Sequence, residues 1–231
     1  IYDQGLRNDF YGLGPGTYLS LGIHESQSRM WENQVGRGRP FWEHWYGDAQ
    51  QTFSEALGNV AFDDFYFAIN RVEPSLIRVE ADELTYNLHI IIRFELEQEM
   101  LDGEINATDL PDAWNAKYQQ YLGITPPNNA DGVMQDVHWS AGLIGYFPTY
   151  SLGNLYAAQF FAKADDELGG LAEMFRRGEY LPLKEWVGEK IHRVGRSCSA
   201  AELVQKVTGE PLNHQYLVEQ LRAKLGPLYK I

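Results

Sequence analysis

Apolar positions recur mostly at helical spacing, in stretches separated by Gly, Pro and Asn. Residues 1–5 read as the end of a helix stopped at Gly5. After the turn Gly12, Gly14, Pro15 and Gly16, Thr17 is placed to cap a helix running to about Val35. Pro40 suits the first position of the next helix, about 40–57, because its missing N–H has no partner to lose there. Asp63 to Arg71 forms another, ended before Pro74. Further helices are predicted over 110–122, 151–164, 166–177, 182–193, 199–208 and 213–225. Ser199 followed by Glu202 matches a capping box, and Pro227 stands where a stop is wanted.

The segment 82–101 carries two patterns. Tyr86, Leu88, Ile90, Ile92, Phe94 and Leu96 alternate as in a strand. Leu84, Leu88, Ile91 and Phe94 fit a helix, Asp82 is a good N-cap, and no Gly or Pro occurs from Ser75 to Asp102. That uninterrupted length exceeds an ordinary strand, so a buried helix is predicted. The expected fold is all-α, one helical region over 1–231. Its long irregular stretch, about 124–150 and including the turn-rich Thr125 to Asp131, is where function is expected to concentrate.

Composition narrows the partners. A net charge of −13 without a Lys/Arg stripe argues against nucleic acid. No apolar run approaches the roughly 20 residues of a membrane helix, and no signal peptide is expected. Cys198 is the only cysteine, which precludes an internal disulfide and fits a cytoplasmic protein. The chain opens Ile-Tyr-Asp-Gln-Gly-Leu without Met and reads as a piece of something longer.

Candidate chemistry begins at Glu25. Glu25 and Arg29 stand four apart on one helix face, and the plain reading is a surface ion pair. Against it, the helix is polar on more than one side yet flanked by Leu19, Leu21, Ile23, Met30 and Trp31. Polar groups held inside a helical core line cavities. His24 points about 100° away from Glu25. No two histidines are four residues apart, so the chain has no H-E-x-x-H. Cys198 reads as a packing residue, and the aromatics Trp42, Trp45 and Tyr46 as part of a core or a subunit contact rather than a cofactor site.

The run SLGIHESQSRMWENQVGR, Ser20 to Arg37, resembles the signature that follows the H-E-x-x-H helix in the carboxypeptidase Taq family of zinc metallocarboxypeptidases. Ile1-Tyr2-Asp3-Gln4-Gly5-Leu6 matches the tail of that family's preceding helix. Ile77-Arg78-Val79-Glu80-Ala81-Asp82 resembles its I-R-x-x-A-D motif, and Gly132-Val133-Met134-Gln135-Asp136-Val137-His138-Trp139 its G-x-x-Q-D-x-H-W motif.

The resemblance implies a neurolysin-like helical fold, a zinc cofactor and Glu25 as third zinc ligand, with Arg29 orienting it. The zinc-binding histidines would lie just before residue 1, on a missing N-terminal part. It also implies peptide substrates with a free C-terminus and a homodimer. Arg78 is the candidate reader of the substrate carboxylate, because a planar guanidinium pairs with both oxygens. An ion pair with Glu80, Asp82 or Glu83 remains its alternative. His138 reads either as a core histidine bonded to backbone or as a donor to substrate, and Gln135 as a binder of substrate backbone. Tyr146 or Tyr150 is the candidate donor to the tetrahedral intermediate. The isolated chain is expected to be inactive. The rivals are a non-catalytic helical peptide-binding module and an endopeptidase.

Overall fold

Helices form wherever the sequence offers a cap, an apolar stripe and no interior breaker, and the computed structural model, which describes residues 1–231, contains no strand. It divides into two compact units: residues 1–70 with 152–231, and residues 71–151.

In the first unit, α1 (Tyr2–Gly5) ends where Leu6 turns extended. The next helix starts later than its sequence suggests. Gly14, Pro15 and Gly16 form a 3₁₀ turn whose first carbonyl accepts the Thr17 hydroxyl at 2.9 Å, so Thr17 caps nothing. Ser20 takes the role, accepting from Ile23 N at 3.2 Å, and opens α2 (Leu21–Arg29). The expected continuous helix to Val35 then widens into a π-helical segment, Met30–Gly36. There follow α3 (Arg39–Thr52), α4 (Ser54–Leu57) and α5 (Phe62–Ile69).

The second unit holds a 3₁₀ turn at Arg78–Glu80, α6 (Tyr86–Leu101) and α7 (Leu110–Leu122). The helical reading of 82–101 holds, and Asp82 caps its lead-in by accepting from the Leu84 and Thr85 amides at 2.9 Å. The buried face, however, is not the stripe proposed from spacing. Leu84, Ile91 and Phe94 are exposed, whereas His89, Ile92, Arg93 and Leu96 are completely buried. Arg93 stacks over Trp114 and Phe147 in a wall built from α7 and the 123–147 loop. α6 thus turns a polar ladder inward, because partners elsewhere in the unit satisfy it.

The segments 151–164 and 166–177 turn out to be α8 (Pro148–Leu168) and α9 (Leu171–Arg176), divided by Gly169 and Gly170, both at positive φ. The remaining helices are α10 (Leu181–Lys190), α11 (Ala200–Thr208) and α12 (Gln215–Tyr229). The Ser199–Glu202 capping box forms as read. Pro227 does not stop α12 but sits inside its last turn, and the helix closes at Lys230, whose left-handed backbone lets Ile231 N reach Gly226 O.

The core of the first unit joins Ile23 and Met30 to Phe160, Phe175, Val187 and Leu203. Burial of such side chains stabilises by about 1.5–3 kcal/mol each. The second unit's core packs Ile92 and Leu96 of α6 against Trp114 and Tyr118 of α7.

Candidate active site

The helix-to-helix approach of α2 and α8 sets Glu25 in the first unit. Gly153 of α8 lies directly under it, and a Cβ there would fall 2.5 Å from Glu25 Cγ. Glu25 Oε1 pairs with Arg29 Nε at 3.1 Å, and Oε2 accepts the Ser28 hydroxyl at 3.2 Å. Arg29 also pairs with Glu32 at 3.0 Å. With its side chain 26% exposed, Glu25 is neither sealed nor turned wholly to solvent. The i,i+4 pair expected from spacing is therefore present, in a half-buried setting.

His24, next in sequence, packs instead against Tyr2 and Tyr18. Behind it, His192 is buried, and its Nε2 donates to Gln27 Oε1 at 2.8 Å, since an amide oxygen only accepts. Burial pushes His192 down to about 4.

The fit of these residues to a metal rests on the donor set. A catalytic zinc uses three protein ligands, whereas no group of three or more His, Cys, Asp or Glu side chains here could hold a metal ion. Glu25 offers one anionic oxygen donor, flanked by a cation and a hydroxyl. The residues fit one corner of a metal site and not the whole.

The second unit brings together Arg78, Gln135, Asp136, His138, Tyr146 and Tyr150. Arg78 lies in the 3₁₀ turn, and it pairs with none of its acidic sequence neighbours. Its Nη2 donates to Asp136 Oδ1 at 2.7 Å, its Nε to the same carboxylate at 3.2 and 3.3 Å, and its Nη1 to the Tyr86 hydroxyl at 3.2 Å. The guanidinium lies over the Tyr150 ring, 4.8 Å from its centre. Burial pushes the Arg78 pKa down, but Asp136 outweighs it and leaves a permanent cation. Asp136 shows the converse: burial raises its carboxyl, and Arg78 and Arg93 together carry it below the usual range.

Gln135 Oε1 accepts from Arg78 N at 3.0 Å, and its Nε2 donates to Leu76 O at 2.9 Å and Asp131 O at 3.1 Å. With both ends of the amide on backbone, it ties the 131–136 loop to the Arg78 turn.

His138 Nε2 lies 3.1 Å from the Tyr150 hydroxyl. Its Nδ1 is buried without a hydrogen-bond partner, 3.7 Å from Asp136 Oδ1. Burial, reinforced by Arg78 and Arg93 against Asp136, lowers its pKa, so the ring is neutral at pH 7. Tyr146 and Tyr150 both border this ring, at 5.3 and 5.9 Å between centres.

Spacing alone missed Arg93 and Tyr118. Arg93 donates to Asp136 Oδ2 at 2.6 Å and His89 O at 2.8 Å. The Tyr118 hydroxyl meets Arg93, Gln135, His89 and Leu76 O within 3.3 Å. The signal available was an arginine embedded in Ile90-Ile91-Ile92-Arg93-Phe94, since a charge in an apolar run demands a buried counter-ion.

The profile of the carboxypeptidase Taq (M32) metallopeptidases matches residues 1–225, and the chain belongs to that family. It is 52% identical to thermostable carboxypeptidase 1 of Thermus thermophilus over 229 residues, covering 99% of this chain and 45% of that protein. It is 45% identical to carboxypeptidase 1 of Bacillus subtilis, again over 99% of the chain and 46% of the relative. The crystal structure of the M32 carboxypeptidase from Deinococcus radiodurans superposes with a TM-score of 0.96 at 47% identity, over 100% of this chain and 46% of that one. The chain thus spans less than half the length of the relatives it matches. No helix is long and apolar enough to cross a membrane.

Proposed function

We propose that the chain is the C-terminal part of a zinc metallocarboxypeptidase that removes residues from peptides with a free C-terminus. The observation that carries this reading is the state of Arg78. Asp136 occupies its Nε/Nη2 edge and Tyr86 one N–H of Nη1, which leaves one N–H on each terminal nitrogen for a ligand. A guanidinium held that way suits bidentate recognition of a carboxylate.

A bound zinc supplies Lewis acidity and lowers the pKa of its water. In this chain Glu25 serves as one ligand, and Arg29 and Ser28 hold its carboxylate in one orientation. Arg78 takes the terminal carboxylate of the substrate. Tyr150, or Tyr146 beside it, donates to the oxygen that gains charge in the tetrahedral intermediate. Neutral His138 orients the Tyr150 phenol through Nε2. The histidine ligands come from the N-terminal part of the protein. One carboxylate does not hold zinc tightly, so the 231-residue chain alone is inactive. Homodimerisation and a cytoplasmic location, the latter supported by the lone Cys198, belong to the same reading.

The test uses protein that includes whatever the reading frame encodes ahead of Ile1. Hydrolysis of a peptide and of its C-terminal amide is compared. Cleavage of the free acid alone, with Arg78→Met raising KM, is expected. Equal cleavage of the amide contradicts the carboxypeptidase reading and favours an endopeptidase.

A further inference from the structure

Arg93 is completely buried and meets only protein. Its guanidinium is held between the Trp114 ring at 4.5 Å and the Phe147 ring at 5.6 Å, and it donates to Asp136, His89 O and Tyr118. With none of its surface exposed, it does not reach a ligand. Removing an arginine from water costs several kcal/mol unless a close counter-ion repays it. Its one counter-ion within salt-bridge distance, Asp136, is already paired with Arg78. One arginine would suffice to neutralise Asp136, so neutralisation alone does not account for the second.

What the second arginine adds is orientation. Arg78 holds Oδ1 closely through Nη2 at 2.7 Å and reaches Oδ2 only by a long Nε contact of 3.3 Å, whereas Arg93 Nε holds Oδ2 at 2.6 Å. A carboxylate gripped closely at one oxygen alone can rock about its Cβ–Cγ bond, and its partner swings with it. Gripped closely at both, its plane is fixed. Arg93 is itself fixed by two rings and by the His89 carbonyl on its own helix. The chain of restraint runs from the α6 backbone through Arg93 and Asp136 to Arg78.

We infer that Arg93 is a positioning residue for recognition of the substrate's C-terminal carboxylate, acting through Asp136 to aim the Arg78 guanidinium. The inference rests on the reading of Arg78 given above. Misplacement of a binding group by about 1 Å can cost on the order of 100-fold, so a loosened Asp136 is expected to reduce discrimination about tenfold or more.

The probes are N-acetylphenylalanine and its C-terminal amide, titrated into protein that includes whatever the reading frame encodes ahead of Ile1. The quantity read is the ratio of the two affinities. A purely structural loss lowers both affinities and leaves the ratio, whereas loss of aim collapses it. The unmodified chain is expected to prefer the acid. Arg93→Met is expected to lose most of that preference, and Arg93→Lys to recover part of it. A folded Arg93→Met or Arg93→Lys variant with an unchanged ratio overturns the positioning role and leaves the Arg78 reading intact. An unmodified chain with no preference overturns that reading, and this inference with it. A measurement without variants guards against misfolding. In the native chain the Nε–H resonances of Arg78 and Arg93 are expected to shift along one saturation curve as the acid binds. An Arg93 signal that stays still while that of Arg78 moves overturns the coupling.

Discussion

Replacing Gly153 by alanine tests the packing that holds Glu25. The added methyl would sit 2.5 Å from Glu25 Cγ and 2.8 Å from its Cβ. Carbon atoms at rest prefer about 3.5–4.0 Å, so the overlap is about 1 Å. It cannot be relieved by moving the tip of a side chain, because Cβ is tied to α2. Over-packing of this kind costs about 1–3 kcal/mol, and alanine returns up to about 1 kcal/mol of helix propensity within α8. The net expectation is a loss of up to about 2 kcal/mol, or up to about 8 °C in Tm for a chain of this size. Gly47→Ala is the control. Gly47 lies in α3, exposed, with nothing within 4 Å of the new Cβ, so the same substitution there is expected to stabilise. Thermal melting of both variants decides it. A Gly153→Ala chain stabilised as much as the Gly47→Ala chain refutes the claim that Gly153 lies directly under the glutamate.

Three further outcomes are expected. His89 and His192 are both held near 4 by burial, with Arg93 and Arg78 assisting at His89, against an ordinary value of 6.5. Between about pH 6.5 and 4 the unfolded chain therefore binds more protons than the folded one. Stability is full above that window and falls by a few kcal/mol as pH drops through it. Denaturation midpoints at pH 7 and pH 5 check this, and replacing either histidine by glutamine flattens the profile. Tyr118→Phe removes the hydroxyl shared by Arg93, Gln135 and Leu76 O and is expected to cost about 1–3 kcal/mol in chemical denaturation. Ser199→Ala removes the α11 capping box at a cost of about 1 kcal/mol by the same measurement.

Local signals in the sequence were reliable where the physics is local. The capping box at Ser199, the stop at Gly5 and the helical nature of 86–101 are decided by neighbours within a few residues, and all three were legible. The cap at Ser20 was misread as Thr17 because the Gly14–Gly16 turn engages that hydroxyl first. Pro227 was read as a stop, although a proline in the last turn forfeits only one helical hydrogen bond. The inward face of α6 was misjudged for a different reason. Apolar spacing marks Leu84, Ile91 and Phe94, but Arg93 is buried by a carboxylate 43 residues away and by rings from α7 and the 123–147 loop. Periodicity carries no information about such partners. The motif residues Arg78 and Asp136 stood out in the sequence one by one. That they grip each other across 58 residues is a property of the folded chain alone.

The central claim, that Glu25 is one ligand of a metal site whose remaining ligands lie outside these 231 residues, is tested most directly by zinc titration calorimetry. The chain alone is expected to bind zinc weakly or not at all. Protein extended by the upstream coding sequence is expected to bind one equivalent tightly, and Glu25→Gln to abolish that binding. Tight stoichiometric binding by the chain alone, or an extended protein indifferent to Glu25→Gln, contradicts the account.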